Sequence, residues 1–224
     1  TQIQSDLIAM QTVLTSPEYA SRTDSSNLSD TTLDAFTLQD SNPAAILNDL
    51  QQKTERFFPS IEAVNTQVKY VQADVAEYVS PAFYMVPAID NTEGQTIYIN
   101  SLHLPDDLTL FTTLANEGFP GHLYQTVSFS RSKPANIRYL ITSSGYVEGW
   151  ATYVESYAYQ YAASLMTNLS RNSASSDFHD SDTSGKSSTS NMSSASNATR
   201  LAWLNRSMNL CIYSLIDIGI HYRG

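Results

Sequence analysis

The chain has 224 residues, of which 42% are hydrophobic and 15% are charged, so it can bury a sizeable core. Its net charge of -10 excludes nucleic acid and anionic membrane surfaces as expected partners, because both select for lysine and arginine. The single cysteine, Cys211, excludes an intrachain disulfide and a cysteine-based zinc site. No apolar run is long enough to span a bilayer, so no transmembrane segment is predicted in this piece.

The N-terminal half of the chain predicts two helices and two short strands. A polar segment rich in Ser, Thr and Asp holds one short helical stretch near Leu7–Leu14. Asn42 followed by proline is typical of a helix start, and we expect that helix to end at Pro59. The residues Val68–Val71 predict a strand, and Gln95–Asn100 predicts another, because β-branched residues alternate there.

The rest of the chain predicts one loop and then mainly helices. Between the two strands, Ser80–Tyr84 is interpreted as an ordered loop. From Asp107 onward apolar residues recur on one helical face, and a second such helix covers about Gly145–Leu165. The segment 167–199 is rich in serine and poor in large apolar residues, which favours a disordered insert. An apolar helix then covers about Ala198–Tyr222.

These elements predict a mainly α fold with a small β element. We expect four parts: a polar, partly helical segment (1–42), a core (43–166), the serine-rich insert (167–199) and a C-terminal core helix (200–224). The chain begins at Thr1 rather than methionine and stops directly after an apolar helical pattern. We therefore expect the core to be incomplete at both ends.

A carboxylate and an imidazole, Glu117 and His122, lie five residues apart around the dipeptide Pro120-Gly121. Zinc peptidases place two ligands four residues apart on one helical face, with a glutamate beside the first ligand as general base. Here position 116 is an asparagine, six residues before His122, and a straight helix would hold the two about 120° apart. Proline and glycine permit a bulge that brings His122 back beneath Asn116.

Two further carboxylates, Glu148 and Glu155, are seven residues apart and project from nearly the same side of a predicted helix. Zinc sites of the glutamate-ligand type take their third protein ligand from such a helix. Glu148 is the better candidate, since we expect Gly149 to permit a close helix approach, and Glu155 would support a ligand or line the cleft. The ordinary alternatives are a surface glutamate, an ion-pair partner and, for Glu117 and His122, solvated or capping residues.

The segment Asn116-Glu-Gly-Phe-Pro-Gly-His-Leu-Tyr-Gln125 resembles the signature of the bacterial family called domain of unknown function (DUF) 885. The family pattern is His-Glu-x-x-Pro-Gly-His, followed by Glu-Gly-Trp-Ala-x-Tyr-x-Glu, which Glu148–Glu155 matches in full. Ser80–Tyr84, Ile97–Asn100 and Asp217–Tyr222 resemble further family segments in the family's order. The resemblance covers residues 44–166 and 200–224.

The resemblance implies a zincin-like helical metallopeptidase core, related to the gluzincin carboxypeptidases, with one zinc ion and a peptide substrate. Carried over position by position, His122 and Glu148 are zinc ligands and Glu117 is the general base. Asn116 stands where the family has its first histidine ligand, and an amide oxygen is a weak donor for zinc. We therefore expect low zinc occupancy.

The remaining assignments also follow from the resemblance. His221, within the segment Asp217–Tyr222, would bind substrate or stabilise an oxyanion, the alternative being a buried core histidine. Tyr146 and Glu155 would support the site or contact substrate. Two functions stay open: a zinc-dependent peptidase impaired by Asn116, and a non-catalytic relative that binds peptides or is a truncated gene product. Relatives often belong to the cell envelope, which favours an envelope or secreted location, and the oligomeric state is left open.

Overall fold

A computed structural model describes residues 1–17, 36, 38, 40–62, 64–89, 94–174 and 187–222. Within these residues the chain is mainly helical with one three-stranded sheet, so the predicted fold class is confirmed at that level. The chain divides into two compact units, one of residues 38–158 and one of residues 1–37 with 159–224. The predicted part boundaries and the zincin-like type of core stay predictions.

The described elements follow a simple order along the chain. Two short 3-10 helices, at 73–78 and 101–103, accompany the sheet. The helices and strands are α1 (Gln2–Leu14), α2 (Pro43–Phe57), β1 (Thr66–Tyr70), β2 (Ala82–Met85), β3 (Gln95–Ile99), α3 (Asp107–Glu117), α4 (His122–Arg131), α5 (Ile137–Leu140), α6 (Ser144–Ala174) and α7 (Ser187–Tyr222).

The start of α2 follows the sequence prediction. The Asn42 side chain accepts a hydrogen bond from the backbone N–H of Ala44 at 2.9 Å, and proline occupies the first helical turn. The cap satisfies one of the N–H groups that a helix start leaves unpaired. Ile46, Leu47 and Leu50 then form the buried face. The predicted helix is confirmed, and it ends at Phe57, two residues earlier than expected.

The sheet has the strand order β1-β3-β2, with β1 parallel and β2 antiparallel to β3. Both predicted strands are confirmed as β1 and β3, and Ile97 and Ile99 of the central strand are fully buried. The expectation of a loop at Ser80–Tyr84 is wrong, because Ala82–Met85 pairs with β3 as the edge strand β2. Its partner strand begins only at Gln95, and a four-residue window does not indicate such a non-local pairing.

Helix α3 begins where the sequence predicts it. The Asp106 side chain accepts a hydrogen bond from the backbone N–H of Thr109 at 3.0 Å and caps the helix. The predicted apolar face is buried, with Phe111, Leu114 and Ala115 inaccessible to solvent. The last turn of α3, which carries Asn116 and Glu117, therefore follows directly on a fully buried helical face.

The two long helices exceed their predicted lengths. Helix α6 continues to Ala174 and α7 begins at Ser187, so both enter the serine-rich segment that was interpreted as a disordered insert. Extending an existing helix adds one hydrogen bond for each residue fixed, and serine opposes this by only a fraction of a kcal/mol, roughly 0.5, relative to alanine. Residues 175–186 of that segment, like residues 18–35 of the polar N-terminal part, lie outside the described residues.

The unit formed by residues 1–37 and 159–224 contains the contact between α1 and α7. The Ser207 hydroxyl donates to the buried carboxylate of Asp6 at 2.8 Å, and Val13 and Leu204 are buried. The predicted short N-terminal helix is confirmed as α1. Across the described residues, no helix combines the length and the apolar character needed to cross a bilayer.

Candidate functional site

The helix that carries Asn116 and Glu117 is interrupted immediately after them. Helix α3 ends at Glu117, residues 118–121 form a break, and His122 begins α4. The N–H of Gly118 donates to the Leu114 carbonyl at 2.8 Å, and the N–H of Tyr124 donates back to the Gly118 carbonyl at 3.1 Å. The predicted interruption is present, although it separates two helices instead of forming a bulge within one, because Pro120 has no N–H to continue the α3 ladder.

Two glycines make this break possible by their lack of a side chain. A Cβ atom on Gly121 would lie 1.7 Å from the carbonyl oxygen of Asn116 and 2.5 Å from that of Ala115. A Cβ atom on Gly118 would lie 2.5 Å from Cδ2 of Leu47 and 2.8 Å from the Leu114 carbonyl oxygen. The role of Gly121 is therefore to allow a close approach between two segments of backbone. This approach brings the start of α4 against the end of α3.

Glu117 is mostly buried and is held by the edge strand. Its Oε2 accepts a hydrogen bond from the backbone N–H of Tyr84 in β2 at 2.9 Å. Burial raises the pKa of Glu117, and the nearby charge of Glu148 adds to this, while the Tyr84 N–H and His122 act in the opposite direction. Glu117 is thus within electrostatic reach of both His122 and Glu148.

His122 and Glu148 face each other across the site. The distance from His122 Nε2 to Glu148 Oε2 is 3.7 Å, with the His122 side chain 15% exposed and that of Glu148 70% exposed. Two ligands that each lie about 2.0–2.1 Å from one tetrahedral zinc are about 3.3 Å apart. This pair is therefore close to the separation that a shared ion needs.

Asn116 is engaged in a different interaction. Its Nδ2 donates to Oε2 of Glu155 at 3.3 Å, and Glu155 is only 5% exposed. Among the described residues, no group of three or more His, Cys, Asp or Glu side chains is arranged to hold a metal ion. Of the three positions predicted as ligands, His122 and Glu148 carry groups that bind zinc well, whereas the Asn116 amide is a weak donor, and the ligand assignment stays a prediction.

An aromatic cluster joins the break to helix α6. The indole Nε1 of Trp150 donates to the Pro120 carbonyl at 2.9 Å, and the Trp150 ring stacks on Tyr124 with centroids 6.2 Å apart. The Tyr124 hydroxyl donates to the Pro59 carbonyl at 2.6 Å, and the Phe58 ring packs edge-on against both aromatic residues. The sequence gave no signal for the hydrogen bond of Trp150, because Pro120 lies 30 residues away.

Sequence reasoning also missed the part that Tyr84 plays. Its backbone holds Glu117, while its hydroxyl donates to the buried side chain of Gln95. Burial raises the pKa of Tyr84 to about 12, although a hydrogen bond with Thr126 acts in the opposite direction. The two adjacent aromatic residues in Ala82-Phe-Tyr-Met85, a residue type enriched in strands, were the signal that could have revealed the strand.

The structure also bears on the expectations for Gly149, Tyr146 and His221. In the described part of the chain nothing lies within 4 Å of a Cβ atom built on Gly149, so the expected close approach is not found there. Tyr146 is exposed on the first turns of α6, and its supporting role stays a prediction. His221 belongs to the other unit, where it is 74% exposed and 3.6 Å from Oδ1 of Asp217. It is not a buried core histidine, and its substrate role stays a prediction.

Comparison with known proteins gives a family and a fold. The model of the family "Bacterial protein of unknown function (DUF885)" matches residues 17–174. Among curated proteins none matches. A crystal structure from Colwellia psychrerythraea, described as a "putative lipoprotein", is similar over 92% of this chain, with a TM-score of 0.54 and 18% identity. The chain spans only 40% of that protein's length, and at this identity the likeness shows the fold alone. The chain belongs to the DUF885 family.

Proposed function

We propose that this DUF885 protein is a zinc-peptidase-type protein whose catalytic centre is impaired at Asn116. The proposal depends on one observation, the 3.7 Å separation between His122 Nε2 and Glu148 Oε2, with the Glu117 carboxylate within electrostatic reach of both. An imidazole, a glutamate ligand and an adjacent glutamate base form the donor and base set of gluzincin-type peptidases, apart from one ligand. The expected substrate or ligand is a peptide.

The impairment follows from the chemistry of residue 116. A catalytic zinc is held by three protein ligands and keeps one position for water. The Asn116 amide nitrogen has no free lone pair, and it donates its hydrogen to Glu155. With two firm ligands the affinity for zinc is low.

A second candidate function is peptide binding without cleavage. The specific observation that favours it is the hydrogen bond between Asn116 and the buried Glu155. A buried carboxylate requires hydrogen-bond partners, and the asparagine supplies one of them without a metal ion or an imidazole. On this proposal, asparagine at position 116, where the family has histidine, keeps the site folded although catalysis is lost.

The fold neighbour supports a proposal for location. The Colwellia protein is described as a "putative lipoprotein", and lipoproteins are attached to membranes through their lipid. We propose an association with the bacterial cell envelope for this chain as well. Fractionation of cells that produce the full-length natural protein tests this, and recovery of the protein in the cytoplasmic fraction alone would contradict it.

The decisive experiment restores the missing ligand. The natural chain and the Asn116→His variant are freed of metal, titrated with zinc, and assayed on a mixed peptide library. We expect the variant to bind zinc at least about tenfold more tightly than the natural chain, since it gains an imidazole ligand. Asn48→His, an exposed position on α2, is the matched control and leaves zinc affinity unchanged.

The outcomes separate the candidate functions. Stoichiometric zinc together with peptide cleavage by the natural chain would show that Asn116 causes no impairment. A variant that gains no zinc would show that the ligand assignment is wrong. Adding Glu148→Gln to Asn116→His should remove the gain, because it removes one of the two remaining ligands. Peptide binding by the natural chain, with no cleavage even by the zinc-loaded variant, would favour the binding function.

A further inference from the structure

The part of α6 that carries Glu148 has few neighbours among the described residues. Cβ atoms built on Gly145 and Gly149 would have nothing within 4 Å. The side chains of Tyr146 and Glu148 are exposed. The local surroundings of Glu148 therefore do not fix its position, although its carboxylate lies 3.7 Å from His122.

Trp150 is where this exposed end of α6 is fastened. Its Nε1–H donates to the Pro120 carbonyl at 2.9 Å, and its ring stacks on Tyr124 at an interplanar angle of 12°. The residues that follow in α6, Ala151 and Val154, are fully buried. Firm packing of α6 thus begins at Trp150, two residues after Glu148.

The acceptor of this hydrogen bond, the Pro120 carbonyl, lies in a tightly packed segment. Pro120 is buried in the break between α3 and α4, three residues after Glu117 and two residues before His122. Gly118 and Gly121 hold that break tightly, since neither has room for a Cβ atom. The Pro120 carbonyl is consequently a fixed reference point for the two site residues beside it.

We propose that Trp150 is a positioning residue that sets the location of Glu148 relative to His122 through its hydrogen bond to Pro120. One hydrogen bond joins the segment with the glutamate to the segment with the histidine. Small displacements of a ligand have large effects on metal affinity, because metal ions tolerate only a narrow range of distances to their donor atoms. The metal-dependent part of this inference depends on the proposed function, whereas the anchoring of α6 does not.

The first test uses Trp150→Phe, which removes the indole N–H and keeps an aromatic ring that can stack on Tyr124. Placed in the Asn116→His variant, it should weaken zinc binding about tenfold or more, as is typical when a residue that orients a ligand is changed. Trp203→Phe, the same change in the other unit, is the matched control and leaves zinc affinity unchanged. In the Asn116→His, Glu148→Gln background, Trp150→Phe should have no further effect, because Glu148 no longer coordinates.

The second test needs no metal. Hydrogen exchange of the backbone amides at 144–150 is followed in the natural chain, in Trp150→Phe and in Trp203→Phe. We expect exchange at these amides to accelerate severalfold in Trp150→Phe only, with cooperative thermal unfolding retained. A further measurement uses the natural chain and is therefore informative even if the variant does not fold. The indole N–H of Trp150 should exchange with solvent at least about tenfold more slowly in the folded chain than in the urea-unfolded chain.

The results distinguish this inference from the proposed function. If Asn116→His binds no zinc, the proposed function fails, and amide exchange alone decides whether Trp150 anchors α6. If amide exchange accelerates but zinc affinity does not change, Trp150 supports the helix without positioning Glu148, and the inference is wrong. An indole N–H that exchanges as fast as in the unfolded chain, or a Trp150→Phe variant unchanged in both measurements, would also overturn it.

Discussion

The two sides of the candidate site are built in opposite ways. On the side of the break, Gly118, Phe119, Pro120 and Gly121 are all buried, and the glycines have no room for a single additional carbon atom. On the side of α6, Cβ atoms built on Gly145 and Gly149 meet no described residue within 4 Å, and the Glu148 side chain is 70% exposed. The break is therefore fixed by dense packing in many directions, whereas the α6 side depends on the anchor at Trp150.

The same contrast separates the two glutamates that face His122. Glu117 is mostly buried and accepts a hydrogen bond from β2, whereas the Glu148 side chain is 70% exposed. A buried carboxylate loses hydration, and an exposed one keeps it. One residue type thus occurs in two environments within one site, which suits the different tasks of base and ligand that we propose for them.

The largest expected effect comes from adding one methyl group to the packed side. In Gly121→Ala, the new Cβ atom would meet the Asn116 carbonyl oxygen at 1.7 Å, so the ends of α3 and α4 must separate. We expect a loss of at least about 4 kcal/mol in the free energy of unfolding, or failure to fold, since the obstacle is backbone rather than a flexible side chain. Urea unfolding followed by circular dichroism measures this, and a loss below about 1 kcal/mol would contradict the close approach.

A smaller effect, dependent on pH, should distinguish the two glutamates. Burial raises the pKa of Glu117 above its ordinary value of 4.5, so the folded state holds the proton more tightly than the unfolded state does. The contribution of this group to stability is therefore present at low pH and is lost as the pH rises from 4.5 through the raised pKa. Glu117→Gln, which stays neutral, should match the natural chain in acid and become more stable than it towards neutral pH.

The matched control for this prediction is Glu148→Gln. Because Glu148 is largely exposed, its replacement should change the free energy of unfolding by no more than about 0.5 kcal/mol at any pH. Urea midpoints measured from pH 4 to pH 8, on about half-unit steps, give both differences. A Glu117→Gln difference that is constant across this range would show that the raised pKa is not the cause.

Local signals in the sequence were enough to predict the packed side of the site. The Asn42 cap, the apolar face of α3 and the interruption at Pro120-Gly121 all appear where short-range rules place them. Each of these features depends on residues within a few positions of one another. The sequence did not distinguish a bulge within one helix from a break between two helices, because proline and glycine are compatible with both.

The remaining features depend on partners far along the chain. Tyr84 reaches Glu117 across 33 residues, Trp150 reaches Pro120 across 30, and Asn116 reaches Glu155 across 39. Sequence periodicity reports which face of an element is buried but not what that face meets. For the same reason Gly149 was interpreted as a close approach, although a glycine in a helix is equally compatible with open space.

The smallest expected effect tests whether Gly149 faces open space. It is a gain in stability, whereas Gly121→Ala is expected to cause a loss. Gly149→Ala adds a methyl group that meets no described residue within 4 Å, in a helix where alanine is favoured over glycine. We expect a gain of about 0.5–1 kcal/mol in the free energy of unfolding, measured by urea unfolding beside Gly121→Ala. A loss of stability would mean that another part of the protein closes on this face of α6. The two sides of the site would then be packed alike, and Trp150 would not be needed to hold Glu148 in position.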